Sequence, residues 1–503
     1  MKHCFTRICS LLLALLLAGC VPALAVEPLY EETFEFSYMY PIHPVYTADN
    51  LFDRYLDETL NTKVNWIQVA SADFDQKLSV VLSSGDLPDV IRAGGSAQVS
   101  ALLDQGAIIE LDGLLERYGA DIMAKYEKWN GMMNVRNAND GHIYGVYGVE
   151  GIESANCIAV RQDWLDRLGL AMPVTLDEWM TAWYAFKENK LGGDQTYPIG
   201  NVIDPIFDCF GIKYTRDYRY VVLEDGSLVN RYEHEHYLEA LELLARLYAD
   251  GIINPYVFTQ SGADLDTMVY NGYIGMMDHT GQKIGQEYNV EMEKTIEGAW
   301  FTPTAPIKGP YGDQTVRGRG GVGNACAVIT VQAQNPENIM KYLNWLYSEE
   351  GVVVTNFGIE GETFDRVDGK PVLRAEWCNY TEKLWPNGIG CVYKGAFDWS
   401  NDQFVQVMFG GKAKEELSRY DLSAYQAYME VNQGYLHTPY VQFTTATEVE
   451  KGADLWEQLK NAERQAIVGE ITIEQFGEAL ARAKAAGMDQ IMSEAQEIWG
   501  KLQ

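Results

Sequence analysis

Positive charge is what this chain has least of. Lysine and arginine together number 39 against 71 aspartates and glutamates, a formal charge of -32 at pH 7. A surface so poor in cations offers no basic face to phosphates, which excludes nucleic acid as a partner and charge-driven adsorption to anionic lipid. None of the eight cysteines stands in a Cys-x-x-Cys arrangement, so neither a zinc ribbon nor a thioredoxin-type redox site is indicated. Long apolar runs are missing except for Leu11 to Ala18, which is too short to span a bilayer as a stable helix. Internal repeats and low-complexity tracts are absent as well. With 47% hydrophobic and 22% charged residues, the chain has the apolar surface to fold into two or three domain-sized cores or two large lobes.

What the first twenty-five residues do contain is an export signal. Lys2 and Arg7 precede the apolar run, and small residues follow it at once. Two processing sites compete there. Leu17-Ala18-Gly19-Cys20 resembles a bacterial lipobox, in which Cys20 becomes the lipidated N-terminus, while Ala23-Leu24-Ala25 fits ordinary signal peptidase. The lipobox is favoured, and a lipid on Cys20 is then the one membrane attachment expected. Loss of Lys2 and Arg7 with the signal moves the formal charge from -32 to -34. Five cysteines remain beyond Cys20: Cys157, Cys209, Cys326, Cys378 and Cys391. Buried free thiols are the expectation, with Cys378 and Cys391 the pair to test for a disulfide.

Along the mature chain, strands alternate with helices. Phe34, Phe36, Tyr38 and Tyr40 repeat at period two and stop at Pro41 and Pro44, which predicts a strand ending in a loop; Val64 to Val69 predicts a second, and Pro88 to Ile91 begins a third. Helical stretches near 49–60 and 73–82 lie between them. That order implies a parallel sheet with right-handed crossovers. Ligands bind beyond the carboxyl ends of such strands, so Tyr40 to His43 and Asp89 to Ser96 are expected to face a crevice. Further on, Thr175 and Glu178 form a capping box ahead of Trp179, Trp183 and Phe186, a stripe read as core. Helices are also predicted around Leu241 to Tyr248, from Asn335-Pro336 to a stop before Gly351, and from Thr472 to Ala485 with a turn at Gly487.

The order of several phrases resembles a known family. They are Ser84-Gly85-Asp86-Leu87-Pro88-Asp89, Arg161-Gln162-Asp163-Trp164-Leu165, Pro173 to Trp179, Tyr248 to Pro255, Gly309-Pro310-Tyr311-Gly312, Asn344 to Gly351, and Gly358-Ile359-Glu360-Gly361-Glu362. Together they are similar to the extracellular solute-binding proteins that feed sugar-type ABC transporters, in particular their large lipoprotein branch. The resemblance implies a periplasmic-binding-protein-like α/β fold: two α/β lobes joined by a multi-strand hinge, with the solute held between them and passed unchanged to permease subunits in the membrane. It places lobe 1 in residues 27–155 and 300–365 and lobe 2 in residues 156–299 and 366–503, with crossings near Asn156 to Arg161, Trp300 to Pro306 and Gly358 to Val367. A monomer is expected, held at the outer face of the cytoplasmic membrane, with no cofactor and no metal.

Sugar sites combine aromatic platforms with carboxylates, amides and arginines that bond the hydroxyl rim. The chain has 12 Trp and 31 Tyr. Candidates for stacking are Tyr40, Trp129, Tyr147, Trp164, Trp300, Trp385 and Trp399, with Asp89, Arg161 and Glu360 for polar contacts. About half are expected to touch ligand, since a tryptophan in a protein of this size is more often core. Trp164 shares an apolar helix face with Val160, Leu165 and Leu168; Arg161 with Asp163 also reads as an internal ion pair, and Glu360 with Glu362 as a hinge brace. Relatives that bind acidic oligosaccharides hold calcium in a loop after the capped helix. Here that stretch reads Lys187 to Asp194 without alternating oxygen ligands, so no calcium is expected and part of the reason for a uronic-acid ligand goes with it.

Three motifs are set aside. Gly318-Arg319-Gly320-Gly321-Val322-Gly323 spells a dinucleotide fingerprint but precedes a strand-like stretch where a helix is required. Glu233-His234-Glu235-His236 spaces its ligands two apart, off a common helix face. Gly94 to Gln98 lacks the closing glycine of a nucleophile elbow. The rival function is an exported glycoside hydrolase using a pair among Asp163, Glu360 and Glu362; a third reading keeps the fold but makes the protein a ligand-presenting partner of a membrane sensor.

Overall fold

The computed structural model describes residues 27–42, 50–70, 73–128, 135–137, 140–150, 156–201, 203–212, 219–223, 225–316, 321–367, 369–377, 383–389, 396–397, 409, 412, 414–431, 436–437 and 445–502. Ten strands build two sheets. In chain order they are β1 (Phe34–Ile42), β2 (Thr62–Ala70), β3 (Val90–Ala93), β4 (Val146–Glu150), β5 (Asn156–Arg161), β6 (Tyr197–Ile199), β7 (Ile274–Thr280), β8 (Phe301–Thr304), β9 (Gly321–Ile329) and β10 (Ala396–Phe397). The first sheet has six strands in the order β10-β4-β9-β3-β1-β2, and the second has four in the order β8-β5-β7-β6.

Direction matters more than order. In the first sheet β1 runs parallel to β2 and β3, and β10 parallel to β4, while β9 runs against its neighbours β3 and β4. The carboxyl ends Ile42, Ala70, Ala93, Glu150 and Phe397 therefore share one edge. In the second sheet β6 and β7 are parallel and β5 runs against both β7 and β8. Its edge collects Ile199, Thr280, Thr304 and the start of β5 at Asn156. Between Glu150 and Asn156 stand only residues 151–155, which span at most about 20 Å when fully extended. The two edges are consequently tethered side by side, as two lobes around a cleft require.

The crossings differ in detail from expectation. Asn156 to Arg161 is itself a strand of the second sheet, so the first crossing precedes it. Phe301–Thr304 pairs with β5, from Phe301 opposite Arg161 to Thr304 opposite Ile158, so the return to the first sheet falls after Thr304. Ala396–Phe397 joins the first sheet although the expected boundary put it in lobe 2. A third junction packs Leu51, Val353 and Phe357 from helices of the first lobe with Phe364 and Leu373 of a hairpin and with Ala424 and Tyr428.

Local chemistry explains the elements. The aromatic period of β1 puts Phe36 and Tyr38 in the core, and the strand continues through Pro41, opposite Val69, to Ile42. Thr175 caps the helix Leu176–Glu188 by accepting from the Glu178 amide, and the Glu178 carboxylate accepts from the Thr175 amide at 2.9 Å. Its Trp179, Trp183 and Phe186 are fully buried, as their spacing predicts. Pro336–Trp345 forms where predicted, but Gly351 does not end a helix. Ser348 caps a new one, Glu349–Phe357, its hydroxyl accepting from the Gly351 amide at 3.0 Å. The C-terminal helices Ala453–Ile467, Ile473–Ala483 and Asp489–Leu502 pack on the second lobe. The fingerprint-like glycines lead into β9, not into a helix.

Glycines let one helix lie close on the second lobe. Helix Arg419–Met429 packs on the wide helical turn Lys283–Tyr288; a methyl group on Gly285 would stand 2.5 Å from the Tyr420 carbonyl oxygen and 2.6 Å from the Ala424 amide nitrogen. These are backbone atoms that cannot rotate away. Gly285→Ala should therefore destabilise the protein by about 1–3 kcal/mol. Gly477, in the helix Ile473–Ala483, meets nothing within 4 Å of an added methyl. Gly477→Ala should stabilise by up to about 1 kcal/mol through helix propensity alone. Urea midpoints of the two variants, read at constant slope, check the opposite signs.

Candidate functional site

On the first lobe the edge is built around Tyr40 and Arg92. Trp66 on β2 stacks on Tyr38 at 5.2 Å between ring centroids, and Tyr40 meets both edge-on, at 5.5 Å from Tyr38 and 6.2 Å from Trp66. The Trp66 indole donates to Asp53 Oδ1 at 2.9 Å, which fixes that ring against helix Leu51–Leu60. Parallel register sets Met39 beside Ile91 and so Tyr40 beside Arg92, whose guanidinium carbon lies 5.4 Å from the Tyr40 ring centroid. Just beyond, Gly95 adopts φ 152°, a conformation side chains rarely take, and its carbonyl opens helix Ser96–Asp104.

On the second lobe the edge is polar. Beyond the end of β6 the Asn201 side chain caps β7: its Nδ2 donates to the Asp278 carbonyl at 2.7 Å and its Oδ1 accepts from the Asp278 amide at 3.0 Å. His279 and Thr280 follow, partly exposed where the rest of β7 is buried. Burial, reinforced by the Lys283 ammonium, holds the His279 imidazole below its usual range, so it is neutral at pH 7; its Nδ1 accepts from the Thr280 amide at 2.8 Å, which leaves Nε2–H as a donor. Lys283 in turn bonds Asp266 at 3.3 Å and pairs with Glu287, while Tyr288 donates to Asp266 at 2.7 Å. Cys157, buried beside β7, has its thiol pushed well up by burial and by Asp278, and is an inert core group.

Several residues nominated from sequence lie away from this edge. Strand β5 starts at the cleft and runs outward, so Arg161 at its carboxyl end is at the far side of the second lobe. It is 2% exposed and holds Asp163 through two bonds of 2.7 and 2.6 Å. Trp164 is also 2% exposed, packed edge-on against Phe186 with Arg161 over its ring. Trp300 precedes β8 at that same far side; its amide donates to Asp163 at 3.2 Å and its ring takes Arg419 and Tyr420. Asp89 stands at the amino end of β3, where it accepts from the Ser37 amide at 2.8 Å and the Ser37 hydroxyl at 2.7 Å. Tyr147 is buried in the first core, its carbonyl accepting from the hydroxyls of Tyr126 and Tyr347.

Glu360 pairs with Arg366 at 3.0 Å and Glu362 with Arg54 at 2.8 Å, the bracing role open to them from sequence. Trp385 opens the short turn Trp385–Asn387. Trp129, Trp399, Cys20, Cys378 and Cys391 lie outside the described residues. Tyr40 is thus the described candidate at the cleft edge; Arg92 lies in the stretch Asp89 to Ser96 expected to face the crevice but was not singled out there, and Asn201 and His279 are the residues sequence reasoning did not name. In the stretch Lys187 to Asp194, Asp194 accepts the Lys190 ammonium at 2.8 Å. The hydrolase nominees are each neutralised by an arginine, with Asp163 at the far side of the second lobe, which leaves no acid pair across the cleft among them.

Asp89 is better understood as a clasp between β1 and β3 than as a ligand contact. Asp89→Ala should cost about 1–3 kcal/mol of stability by freeing the Ser37 donors, while ligand affinity measured by titration stays within twofold of the parent.

Comparison with known proteins agrees with this geometry. The family model of bacterial extracellular solute-binding proteins matches residues 43–353. The chain is 25% identical to "Lipoprotein LipO" of Bacillus subtilis (strain 168) over 87% of this chain and 86% of that protein. It is 22% identical to the "Polygalacturonan/rhamnogalacturonan-binding protein YtcQ" of the same strain over 88% and 87% respectively. The structure of "alginate-binding protein AlgQ2 without calcium ion" superposes with a TM-score of 0.71 at 19% identity, over 94% of this chain and 99% of that one, and it shares the two-lobed fold. No helix among the described residues is long and apolar enough to cross a membrane. By the extent of the matched residues and the architecture around them, the chain belongs to the bacterial extracellular solute-binding proteins, a family of binders and not of enzymes.

Proposed function

We propose that the protein is the extracellular, lipid-anchored substrate-binding component of an ABC importer, and that it captures an oligosaccharide between its lobes and delivers it to the permease. The observation that carries this is the pair of sheet edges tethered by residues 151–155, one presenting Tyr40 and Arg92, the other Asn201 and His279. An aromatic face on one side and polar groups on the other, His279 among them with an imidazole donor, suit a ligand with apolar ring faces and a hydroxyl rim. The name of YtcQ, a polysaccharide binder similar along most of this chain, supports a carbohydrate, and the name of LipO supports the lipid on Cys20.

The mechanism follows from the tether. A solute touching one edge gains little; touching both, it favours the closed arrangement by its extra affinity for that state. Closure then brings together surfaces from both lobes that the membrane partner reads. No bond in the solute changes, so no general acid or base is required.

Thermal unfolding of the purified protein against a panel of mono- and oligosaccharides tests the reading. A true ligand at 100 times its dissociation constant should add about 2.7 kcal/mol of stability and be recovered intact, with no new reducing ends. Trp399→Ala should weaken that ligand by at least about 1 kcal/mol if its ring is a platform. A panel without one stabilising sugar, or hydrolysis of any member, would overturn the proposal.

A further inference from the structure

Arg92 is partly buried and lies against Tyr40, yet among the described residues no carboxylate or carbonyl accepts from its guanidinium. Other arginines packed into this protein are treated differently. Arg161 holds Asp163, Arg231 holds Glu463, Arg219 holds Glu448 and Arg136 holds Asp112. With 71 acidic residues against 39 basic ones, a carboxylate partner is the easiest group for this sequence to supply. At Arg92 none is supplied. A guanidinium cannot shed its proton, so its charge persists at any physiological pH, and partial burial removes part of the water that would otherwise compensate it.

The setting of the residue adds to the point. Arg92 stands one position before the carboxyl end of β3, beside the aromatic group of Tyr38, Tyr40 and Trp66. Tyr40 lies within cation–π range of the planar group, so what the site lacks is an acceptor for the donors in the guanidinium plane. A single sugar hydroxyl would accept one such bond and leave the charge uncompensated. A carboxylate accepts two in parallel and neutralises it.

Resting on the carbohydrate reading above, we propose that Arg92 is a specificity-determining residue that selects an acidic sugar, taking the ring carboxylate of a uronic acid in a two-bond pair beside Tyr40. This runs against the sequence-based expectation, which drew on the absence of a calcium loop in Lys187 to Asp194. That stretch precedes the amino end of β6, away from the cleft edge, whereas Arg92 is on it.

Isothermal titration of the full chain against oligogalacturonates, oligomannuronates and hyaluronan fragments, each beside its carboxyl-reduced neutral twin, tests the proposal. The expected result is that at least one acidic member binds at least about tenfold more tightly than its neutral twin. Arg92→Gln should weaken the acidic member by more than its neutral twin and so close that gap, and Arg92→Lys, which keeps the charge but not the fork, should recover part of it. Unchanged melting temperature shows that each variant is folded. Neutral twins that bind as tightly as the acids, or an Arg92→Gln variant that weakens both equally, would overturn the selection of acidic sugars while leaving carbohydrate binding standing. Silence from every acidic and neutral member would overturn both.

Discussion

The five residues between Glu150 and Asn156 constrain this molecule more than any single contact. They join the carboxyl end of one sheet strand to the amino end of a strand in another sheet, and so fix which ends of all ten strands can meet. Once β4 and β5 are tied in this way, the pairing pattern, antiparallel at β5 and β9 and parallel elsewhere, carries the condition across each sheet. Ile42, Ala93 and Phe397 are brought to one rim, and Ile199, Thr280 and Thr304 to the other. The cleft is thus a consequence of connectivity and strand direction. Side chains decide only what it holds.

Charge is distributed with the same economy. Arg231 and Glu463 are each about 3% exposed and face one another with Tyr237 as a third partner, tying helix Ala453–Ile467 to the start of helix Tyr237–Ala249. Such a buried pair recovers its desolvation cost only in one geometry. Its effect is to allow the C-terminal helices a single seat on the second lobe, which their apolar faces alone would not specify. Arg219 and Glu448, with Trp456 donating to the carboxylate at 2.7 Å, form a second pair at the turn Glu448–Gly452 that leads into helix Ala453–Ile467.

The elements themselves were legible where local chemistry is strong. The period-two aromatics of β1, the Thr175 capping box and the Pro336 helix start all stand within a residue or two of where their signals put them. Gly351 misled because a glycine in the first turn of a new helix looks, in sequence, like one that closes the helix before it. The site was less legible, and for one reason. Sequence gives the position of an aromatic along a strand but not the direction of that strand relative to the cleft. Arg161 and Trp164 belong to a phrase that resembles the family's and Trp300 to an expected crossing, yet β5 runs away from the cleft and β8 toward it, leaving all three at the outer end. Asn201 and His279 carried no signal of their own, since a short polar stretch after a buried strand is common; only the pairing of β6 with β7 gives them a place.

A protein with a formal charge of -32 would seem a poor partner for an anion, but distance decides the matter. At physiological ionic strength the field of a surface carboxylate is largely screened beyond about 8 Å, so most of the net charge acts on the approach of a ligand and little on its bound state. Approach is slowed by like charge and hastened by salt. Residence is set by the groups within hydrogen-bonding reach, and there one partly buried guanidinium outweighs many solvated carboxylates because water has been removed from around it. Net charge therefore constrains how fast such a cleft fills, and the role proposed for Arg92 beside Tyr40 is to constrain what stays in it.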